Sequence, residues 1–144
     1  MITCTRRIQF CAGHRVHGHE GKCRNMHGHN YVALLTARGM LTAPLDAIGR
    51  VIDFSVLKER LGGWIDQHWD HGFIYWKGDT HLDNLFHGEI DGHKSYAMPN
   101  NPTAENMAEH LLTVIAPEVL KGLPIQVTGV RLWETENCYA DAEL

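Results

Sequence analysis

Two segments with β-strand character, separated by a loop rich in glycine and histidine, limit most strongly how this chain can fold. Residues 5–14 alternate, with Ile8, Phe10 and His14 on one face, which is the period-two pattern of a strand. Residues 27–41 are rich in β-branched and other strand-forming side chains. We predict that the two segments pair, so that a histidine lies at the end of the first strand and another at the start of the second.

Two helices are predicted in the middle of the chain. The first runs from about 54 to 69, because its apolar residues follow a helical spacing and both Asp53 and Ser55 are plausible N-caps. Thr103 can cap the second helix. Pro117 is expected to end or kink that helix, because proline lacks the backbone N–H that a helix interior needs.

The remaining segments complete the prediction of the fold class. Residues 77–101 are polar and contain several glycines, which predicts irregular structure. Residues 124–134 alternate again and predict a strand, with a short last strand near 138–142. Strands and helices are segregated along the chain, so we predict the α+β class with an antiparallel sheet.

Length and composition narrow the class of protein. A chain of 144 residues suits a single domain, residues 1–144, with one core. The net charge of −4 gives no electrostatic reason to expect nucleic-acid binding. No signal peptide is apparent, and no apolar run approaches the roughly 20 residues of a membrane span. We therefore expect no membrane partner and a cytoplasmic protein whose cysteines are reduced thiols.

The distribution of histidine points to a metal site. Five of the 11 histidines fall within sixteen positions: His14, His17, His19, His27 and His29. On a strand, His27 and His29 face the same side and can reach one ion. We prefer His14 as the third ligand, because a strand end is better held than the loop that carries His17 and His19. Three histidines leave a fourth tetrahedral position open, which is typical of catalytic Zn²⁺; the alternative is a solvated histidine-rich loop.

Cys23 is a candidate for chemistry beside that site. It lies four residues before His27, between Lys22 and Arg24. Two neighbouring cations favour the thiolate form, which is the reactive one. The spacing leaves an alternative open, in which Cys23 is the fourth zinc ligand and closes a site that has no chemistry.

Four other residues carry weaker signals when each is taken alone. Asp70 precedes His71, and a carboxylate can orient a histidine and raise its basicity, although a turn aspartate beside a helix-terminal histidine is the simpler interpretation. Glu134, near a strand end, is more often a surface charge. Glu105 is most simply a first-turn acid that the helix dipole favours.

Six motifs occur in order between residues 10 and 135. They are Phe10-Cys11-Ala12-Gly13-His14-Arg15; Lys22-Cys23-Arg24-Asn25-Met26-His27-Gly28-His29-Asn30-Tyr31; Val51-Ile52-Asp53-Phe54 with Leu57-Lys58; Asp70-His71; Pro102-Thr103-Ala104-Glu105-Asn106; and Trp133-Glu134-Thr135. Together they resemble the motifs of the 6-pyruvoyl-tetrahydropterin synthase / 6-carboxy-tetrahydropterin synthase family. The segment with Cys23 and the His-Gly-His sequence is the most specific of the six.

The resemblance implies a role for each candidate residue. Cys23 would be the catalytic base or acid, and Asp70 with His71 would be its proton-relay partner. Glu134 would anchor the guanidine-like edge of the pterin, since a carboxylate can accept two parallel N–H bonds. The residues that would hold zinc are His14, His27 and His29. Those expected near the pterin besides Glu134 are Glu105 and Thr103.

The resemblance also implies an architecture and an assembly. The family has the tunnelling fold, with the order strand-strand-helix-helix-strand-strand and the helices on one face of the sheet. Its subunits assemble into homo-oligomeric rings, often hexamers, with active sites between subunits. We expect the same of this chain, with a small pterin as its partner molecule.

The spacing of Cys23 from the His-Gly-His sequence is similar to that of the 6-carboxy-tetrahydropterin synthase branch. That branch converts 7,8-dihydroneopterin triphosphate to 6-carboxy-5,6,7,8-tetrahydropterin, with release of acetaldehyde and triphosphate, on the 7-deazaguanine route to queuosine. The alternatives are 6-pyruvoyl-tetrahydropterin synthesis and a non-catalytic, zinc-stabilised binding module. After Asp70-His71 this chain departs from the branch pattern, with Gly72-Phe73-Ile74-Tyr75 in place of the usual x-x-Leu-Asn.

Overall fold

A six-stranded sheet forms the frame of the protein, whose computed structural model describes residues 1–144. The strands are β1 Thr3–His14, β2 His27–Gly39, β3 Gly72–Trp76, β4 Ser95–Met98, β5 Ile125–Thr135 and β6 Cys138–Glu143. They lie side by side in the order β4-β3-β1-β2-β5-β6. With the helices described next, this sheet confirms the predicted α+β class.

Two long helical runs and one short helix accompany the sheet. The first run consists of α1 Phe54–Leu57, a π-helical segment Lys58–Gly62 and α2 Gly63–His68. The short helix is α3 Thr80–His87, and the second run consists of α4 Ala104–His110, a π-helical segment Leu111–Ile115 and α5 Ala116–Val119. None of these helices combines the length and the apolar character that crossing a membrane requires.

The helix caps follow the sequence prediction closely. The Asp53 side chain accepts a hydrogen bond from the Ser55 backbone N–H, so Asp53 is the cap of the first run. Thr103 caps the second run in the same way. Pro117 does not end the second run, which continues to Val119. The π-helical segment directly before α5 has already interrupted the regular hydrogen-bond ladder, so the missing N–H of proline costs little there.

The predicted pairing of the first two strands is confirmed. β1 and β2 are antiparallel over the whole length of β1, with Ala12 opposite His29 and His14 opposite His27. β5 pairs antiparallel with the other edge of β2, and β6 pairs antiparallel with β5. This register brings the end of β1 and the start of β2 together.

The sheet is mixed, because two short strands that the sequence pattern did not reveal extend it. β3 runs parallel to the end of β1, and β4 runs parallel to β3. The expectation of irregular structure across 77–101 is therefore wrong, since this segment contains α3 and β4. α3 begins after Asp79, whose side chain accepts from the Leu82 N–H. Leu82 and Phe86 of α3 then pack with Tyr75 of β3 in a second apolar cluster.

The main core lies between one face of the sheet and the two helical runs. Alternate residues of β1 and β2, such as Phe10 and Tyr31, pack there with Leu61 and Leu111 of the helical runs. His14 continues the alternation of β1, so it points towards the same side and is only 1% exposed. The fold thus buries a histidine at the edge of an apolar core.

Candidate metal centre and active site

Three histidine side chains converge where β1 ends and β2 begins. One ring nitrogen from each of His14, His27 and His29 lies within 4.8 Å of the other two. The ring centroids are 4.6 to 5.0 Å apart. The structure therefore brings together the predicted set of ligands, and the alternatives His17 and His19 lie outside this group.

Backbone carbonyls fix the orientation of two of these rings. His14 donates from Nδ1 to the Pro102 carbonyl at 2.8 Å, and His27 donates from Nδ1 to the Asn25 carbonyl at 2.7 Å. A carbonyl can only accept, so in the neutral rings both protons are on Nδ1 and both Nε2 atoms are bare acceptors. These Nε2 atoms lie 3.1 Å apart. Two acceptors at this distance repel each other unless a proton or a metal cation lies between them.

The arrangement of donors fits a zinc ion. A histidine whose Nδ1–H is held by a carbonyl and whose Nε2 is free has the usual orientation of a metal ligand. Tetrahedral coordination by nitrogen places neighbouring ligand atoms roughly 3.3 Å apart, close to the separation of the His14 and His27 Nε2 atoms. The Nε2 atom of His29 is buried without any hydrogen-bond partner. An ion at the centre of the three rings would satisfy all three nitrogens.

Burial favours the neutral, metal-binding form of two of these rings, those of His14 and His29. It lowers the pKa of His14 to about 4. The hydrogen bond to the Pro102 carbonyl raises this pKa, whereas the neighbouring His27 and His29 lower it further. Burial also lowers the pKa of His29, although the carboxylate of Glu134, 3.7 Å from Nε2, opposes the shift. Neutral imidazole is the form that ligates metals, so His14 and His29 are ready for an ion at neutral pH.

A cavity of about 200 Å³ adjoins the histidine cluster and collects several of the other predicted residues. The site residues that line it are His14, Cys23, Thr103, Glu105 and Glu134. Cys23 lies in the short 3₁₀ turn Lys22–Arg24 between β1 and β2. Its sulfur is not among the atoms that converge on the metal position. Cys138 lines the cavity as well, so the cavity combines two thiols, two carboxylates and one side of the metal position.

Asp70 and His71 lie on the other face of the sheet, where they contact Cys11. The Nδ1–H of His71 donates to Asp70 Oδ2 at 2.7 Å, and the backbone N–H of Cys11 donates to Asp70 Oδ1 at 3.0 Å. The Cys11 sulfur is 3.8 Å from Nδ1 and 3.7 Å from Nε2 of His71. The predicted carboxylate–histidine pair is in contact, but within one chain its thiol neighbour is Cys11 and not Cys23.

The backbone holds His71 in a strained conformation. It is the one non-glycine residue with a positive φ, 58°, and its N–H donates to the Cys11 carbonyl at 2.7 Å. Burial raises the pKa of Asp70, but the Cys11 N–H and the His71 ring outweigh it and leave that pKa below its ordinary value. Asp70 is therefore ionised at neutral pH and orients the imidazole. Strain of this kind is concentrated at functional sites.

Comparison with known proteins decides the family. The family model described as 6-pyruvoyl tetrahydropterin synthase matches residues 3–144. The chain belongs to this family. A relative from Rickettsia bellii, named 6-carboxy-5,6,7,8-tetrahydropterin synthase, is 42% identical over 141 residues, which are 98% of this chain and 99% of the relative. The resemblance found in the sequence motifs is thereby confirmed.

Solved structures of similar proteins confirm the fold of this pterin synthase family member. The 6-pyruvoyl tetrahydropterin synthase of Caenorhabditis elegans superimposes with a TM-score of 0.68 at 24% identity, over 99% of this chain and 95% of that one. An uncharacterized protein from Wolinella succinogenes superimposes with a TM-score of 0.78 at 22% identity, over 99% and 97% of the two chains. The tunnelling fold implied by the resemblance is confirmed.

Two features of this family member escaped the sequence analysis. Cys11 was not singled out, although its position in an alternating strand places it on the face opposite His14. Asp79 lay in the segment expected to be irregular, yet it is buried and accepts two hydrogen bonds from Arg15, at 2.6 and 2.7 Å. Because Arg15 directly follows His14, this ion pair fixes the chain next to a metal-ligand candidate.

Proposed function

We propose that this chain is a zinc-dependent 6-carboxy-5,6,7,8-tetrahydropterin synthase, formed by a single domain over residues 1–144. It would convert 7,8-dihydroneopterin triphosphate, release acetaldehyde and triphosphate, and serve the 7-deazaguanine route to queuosine. The observation that carries the proposal is the cavity that Cys23 and Glu134 share with the histidine cluster. The name of the 42% identical relative supports this branch of the family.

The metal position has a defined task in this proposal. His14, His27 and His29 hold Zn²⁺ through the nitrogens that converge between the strand ends. A zinc ion supplies a Lewis acid that lowers the pKa of the hydroxyls bound to it. The Pro102 and Asn25 carbonyls keep two of the rings in the correct tautomer before the metal arrives.

Of the cavity residues, Cys23 transfers a proton and Glu134 binds the pterin. Cys23 moves a proton at the substrate carbon next to the pterin ring. Glu134 accepts two parallel N–H bonds from the guanidine-like edge of the pterin. Glu105 and Thr103 line the same cavity, and Thr103 Oγ1 accepts from the Asn106 N–H, so this hydroxyl is fixed in place.

The proton relay is best explained by two subunits. Asp70 and His71 contact Cys11 on the sheet face opposite the histidine cluster, so we assign them to the Cys23 of a neighbouring subunit. β3 pairs with β1 only at residues 12–14, which leaves a free edge on the rest of β1, and β6 has a neighbour on one side only. Two different free edges favour head-to-tail pairing into a closed ring, and we propose a homo-oligomer, with a hexamer favoured.

A second candidate function is 6-pyruvoyl-tetrahydropterin synthesis, which eliminates triphosphate without loss of acetaldehyde. The description of the matching family model and the name of the Caenorhabditis elegans protein favour it. The metal position would serve both reactions, and the mass of the product separates them. A closed, non-catalytic zinc site is disfavoured, because the Cys23 sulfur is not one of the converging ligand atoms.

Replacement of Cys23 tests the proposed chemistry. We expect Cys23→Ala to keep its zinc and its fold and to lose nearly all turnover of 7,8-dihydroneopterin triphosphate. General acid–base catalysis by one group contributes on the order of 10²- to 10⁴-fold. Cys4→Ala, on β1 away from the cavity, is the matched control and should keep normal activity. Normal turnover by Cys23→Ala would contradict the role given to this thiol.

A further inference from the structure

A second group of metal-binding side chains lies outside the histidine cluster. Cys11, Asp70 and His71 each offer a ligand atom within 4.8 Å of the other two. Cys11 and His71 also line a cavity of about 650 Å³. In β1, Cys11 lies between Phe10 and Ala12, which point into the core. Its side chain is therefore on the opposite face of the sheet from His14.

We propose that Cys11, Asp70 and His71 form a second site, for a thiophilic divalent cation such as Zn²⁺. The Cys11 sulfur is 3.8 Å from His71 Nδ1 and 3.9 Å from Asp70 Oδ1. Tetrahedral zinc places a thiolate sulfur and an imidazole nitrogen roughly 3.5 Å apart, so the three atoms need little movement. The ion replaces the proton that Nδ1 shares with Asp70, and binding therefore releases protons.

The donor set selects the class of metal. One thiolate, one imidazole and one carboxylate suit Zn²⁺ and similar borderline-soft ions, whereas Mg²⁺ and Ca²⁺ prefer sites made of oxygen. Within one chain His71 is exposed and lies at the cavity wall, so the group is open on the side where the proposed function places the Cys23 of a neighbouring subunit.

The backbone prepares this site independently of the Cys11 side chain. The N–H of Cys11 donates to Asp70, and its carbonyl accepts from the His71 N–H. Cys11→Ser therefore removes the soft ligand and leaves the placement of Asp70 and His71 intact. A serine hydroxyl is a poor substitute for a thiolate as a zinc ligand.

The consequence for activity rests on the proposed function. An ion on His71 and Asp70 removes both groups from proton transfer, so zinc beyond the first equivalent inhibits the enzyme. Activity should rise as the histidine cluster fills and fall as the second site fills. Cys11→Ser should abolish the loss of activity at high zinc without affecting the activation by the first equivalent.

Titration of the metal-free protein with Zn²⁺ and with Co²⁺ tests the second site without any pterin. We expect two ions per chain for the wild type, two for the control Cys4→Ser, and one for Cys11→Ser. In the His27→Ala background, where the histidine cluster is impaired, one Co²⁺ should remain with a sulfur-to-cobalt charge-transfer band. Adding Cys11→Ser to that background should remove both the ion and the band.

Two results would overturn the proposal. One is a single ion per wild-type chain under conditions where Cys11 is reduced. The other is a second ion that binds Cys11→Ser with an affinity within about threefold of that for the wild type. The ion count needs no substrate, so failure of the proposed reaction would leave it unchanged, and failure of the second site would leave the reaction intact.

Discussion

At the scale of residues, the three histidines are prepared for an ion by groups that never touch it. The Pro102 and Asn25 carbonyls fix the protons of two rings on Nδ1, and burial holds His14 neutral. A ring that is oriented and neutral before binding has little left to reorganise. The cost is an unsatisfied nitrogen on His29 and a repulsive pair of nitrogens in the metal-free protein.

Removal of one ligand should abolish tight zinc binding at the histidine cluster. We expect His27→Ala to lose zinc affinity by more than about 100-fold, since even loss of an outer-shell partner costs 10- to 100-fold. His17→Ala is the matched control, because His17 lies in the same segment but outside the cluster. In the Cys11→Ser background, which lacks the proposed second site, stoichiometric zinc on purified His27→Ala, measured by elemental analysis, would contradict the ligand assignment.

The burial of His14 also predicts how pH acts on the metal-free protein. Its pKa of about 4 in the fold lies below the ordinary value near 6.5. The unfolded chain therefore takes up a proton before the folded one does, and stability is full above pH 6.5 and falls as the pH drops towards 4. The loss should be on the order of 1–3 kcal/mol. His110, whose pKa burial also lowers, adds to it with the same sign.

Urea denaturation of the metal-free protein at pH 7.5 and pH 5 measures this effect. Zinc-loaded protein at pH 7.5 should be more stable still, because an ion that binds only the folded state stabilises it. If the free energy of unfolding stayed constant or rose as the pH was lowered from 7.5 to 5, the assigned environment of His14 would be wrong.

At the scale of elements, α3 is tied to the metal-bearing end of β1 by one carboxylate. Asp79 caps α3 through the Leu82 N–H and also pairs with Arg15, the residue after His14. Burial raises the pKa of Asp79, but the Arg15 guanidinium and the cap outweigh it and hold that pKa below its ordinary value. Asp79 therefore holds the start of α3 against the end of β1.

Neutralising Asp79 should destabilise the fold strongly. We expect Asp79→Asn to lower the free energy of unfolding by about 3–5 kcal/mol, because it leaves a largely buried guanidinium without its partner. Asp91→Asn, at an exposed position of the following turn, is the control and should change stability by less than about 0.5 kcal/mol. Equal urea midpoints for the two variants would show that the Arg15–Asp79 ion pair does not stabilise the fold.

The strands that the sequence predicted are those in which buried and exposed residues alternate over many positions. β1, β2 and β5 alternate over eleven or more residues, and their pairing places His14, His27 and His29 together. β3 and β4 have only five and four residues, too few for alternation to be read. α3 was missed because its apolar residues pack against β3 in a cluster separate from the main core. Cys11 was missed because its partner Asp70 lies 59 residues further along the chain.

At the scale of the whole molecule, the two faces of one sheet carry the two halves of the proposed catalytic machinery. Cys23 and the metal position lie on one side, and Asp70 with His71 lies beside Cys11 on the other. One chain does not bring these halves into contact. A closed ring with head-to-tail contacts would place the relay of one subunit at the thiol of the next.

Mixing two inactive variants tests this division. Cys23→Ala and His71→Ala should each be inactive alone. Reassembled together in equal amounts, they should regain activity in about a quarter of the sites, because random head-to-tail neighbours pair one intact half with the other at that frequency. No recovery after verified co-assembly would show that both halves act within one chain. Mixing either variant with itself is the control.

The identity of the product separates the proposed reaction from 6-pyruvoyl-tetrahydropterin synthesis. Protein loaded with one equivalent of Zn²⁺ per chain is incubated with 7,8-dihydroneopterin triphosphate, and the products are identified by mass spectrometry. We expect 6-carboxy-5,6,7,8-tetrahydropterin together with acetaldehyde and triphosphate. A 6-pyruvoyl product, or an unchanged substrate in the presence of stoichiometric zinc, would contradict it.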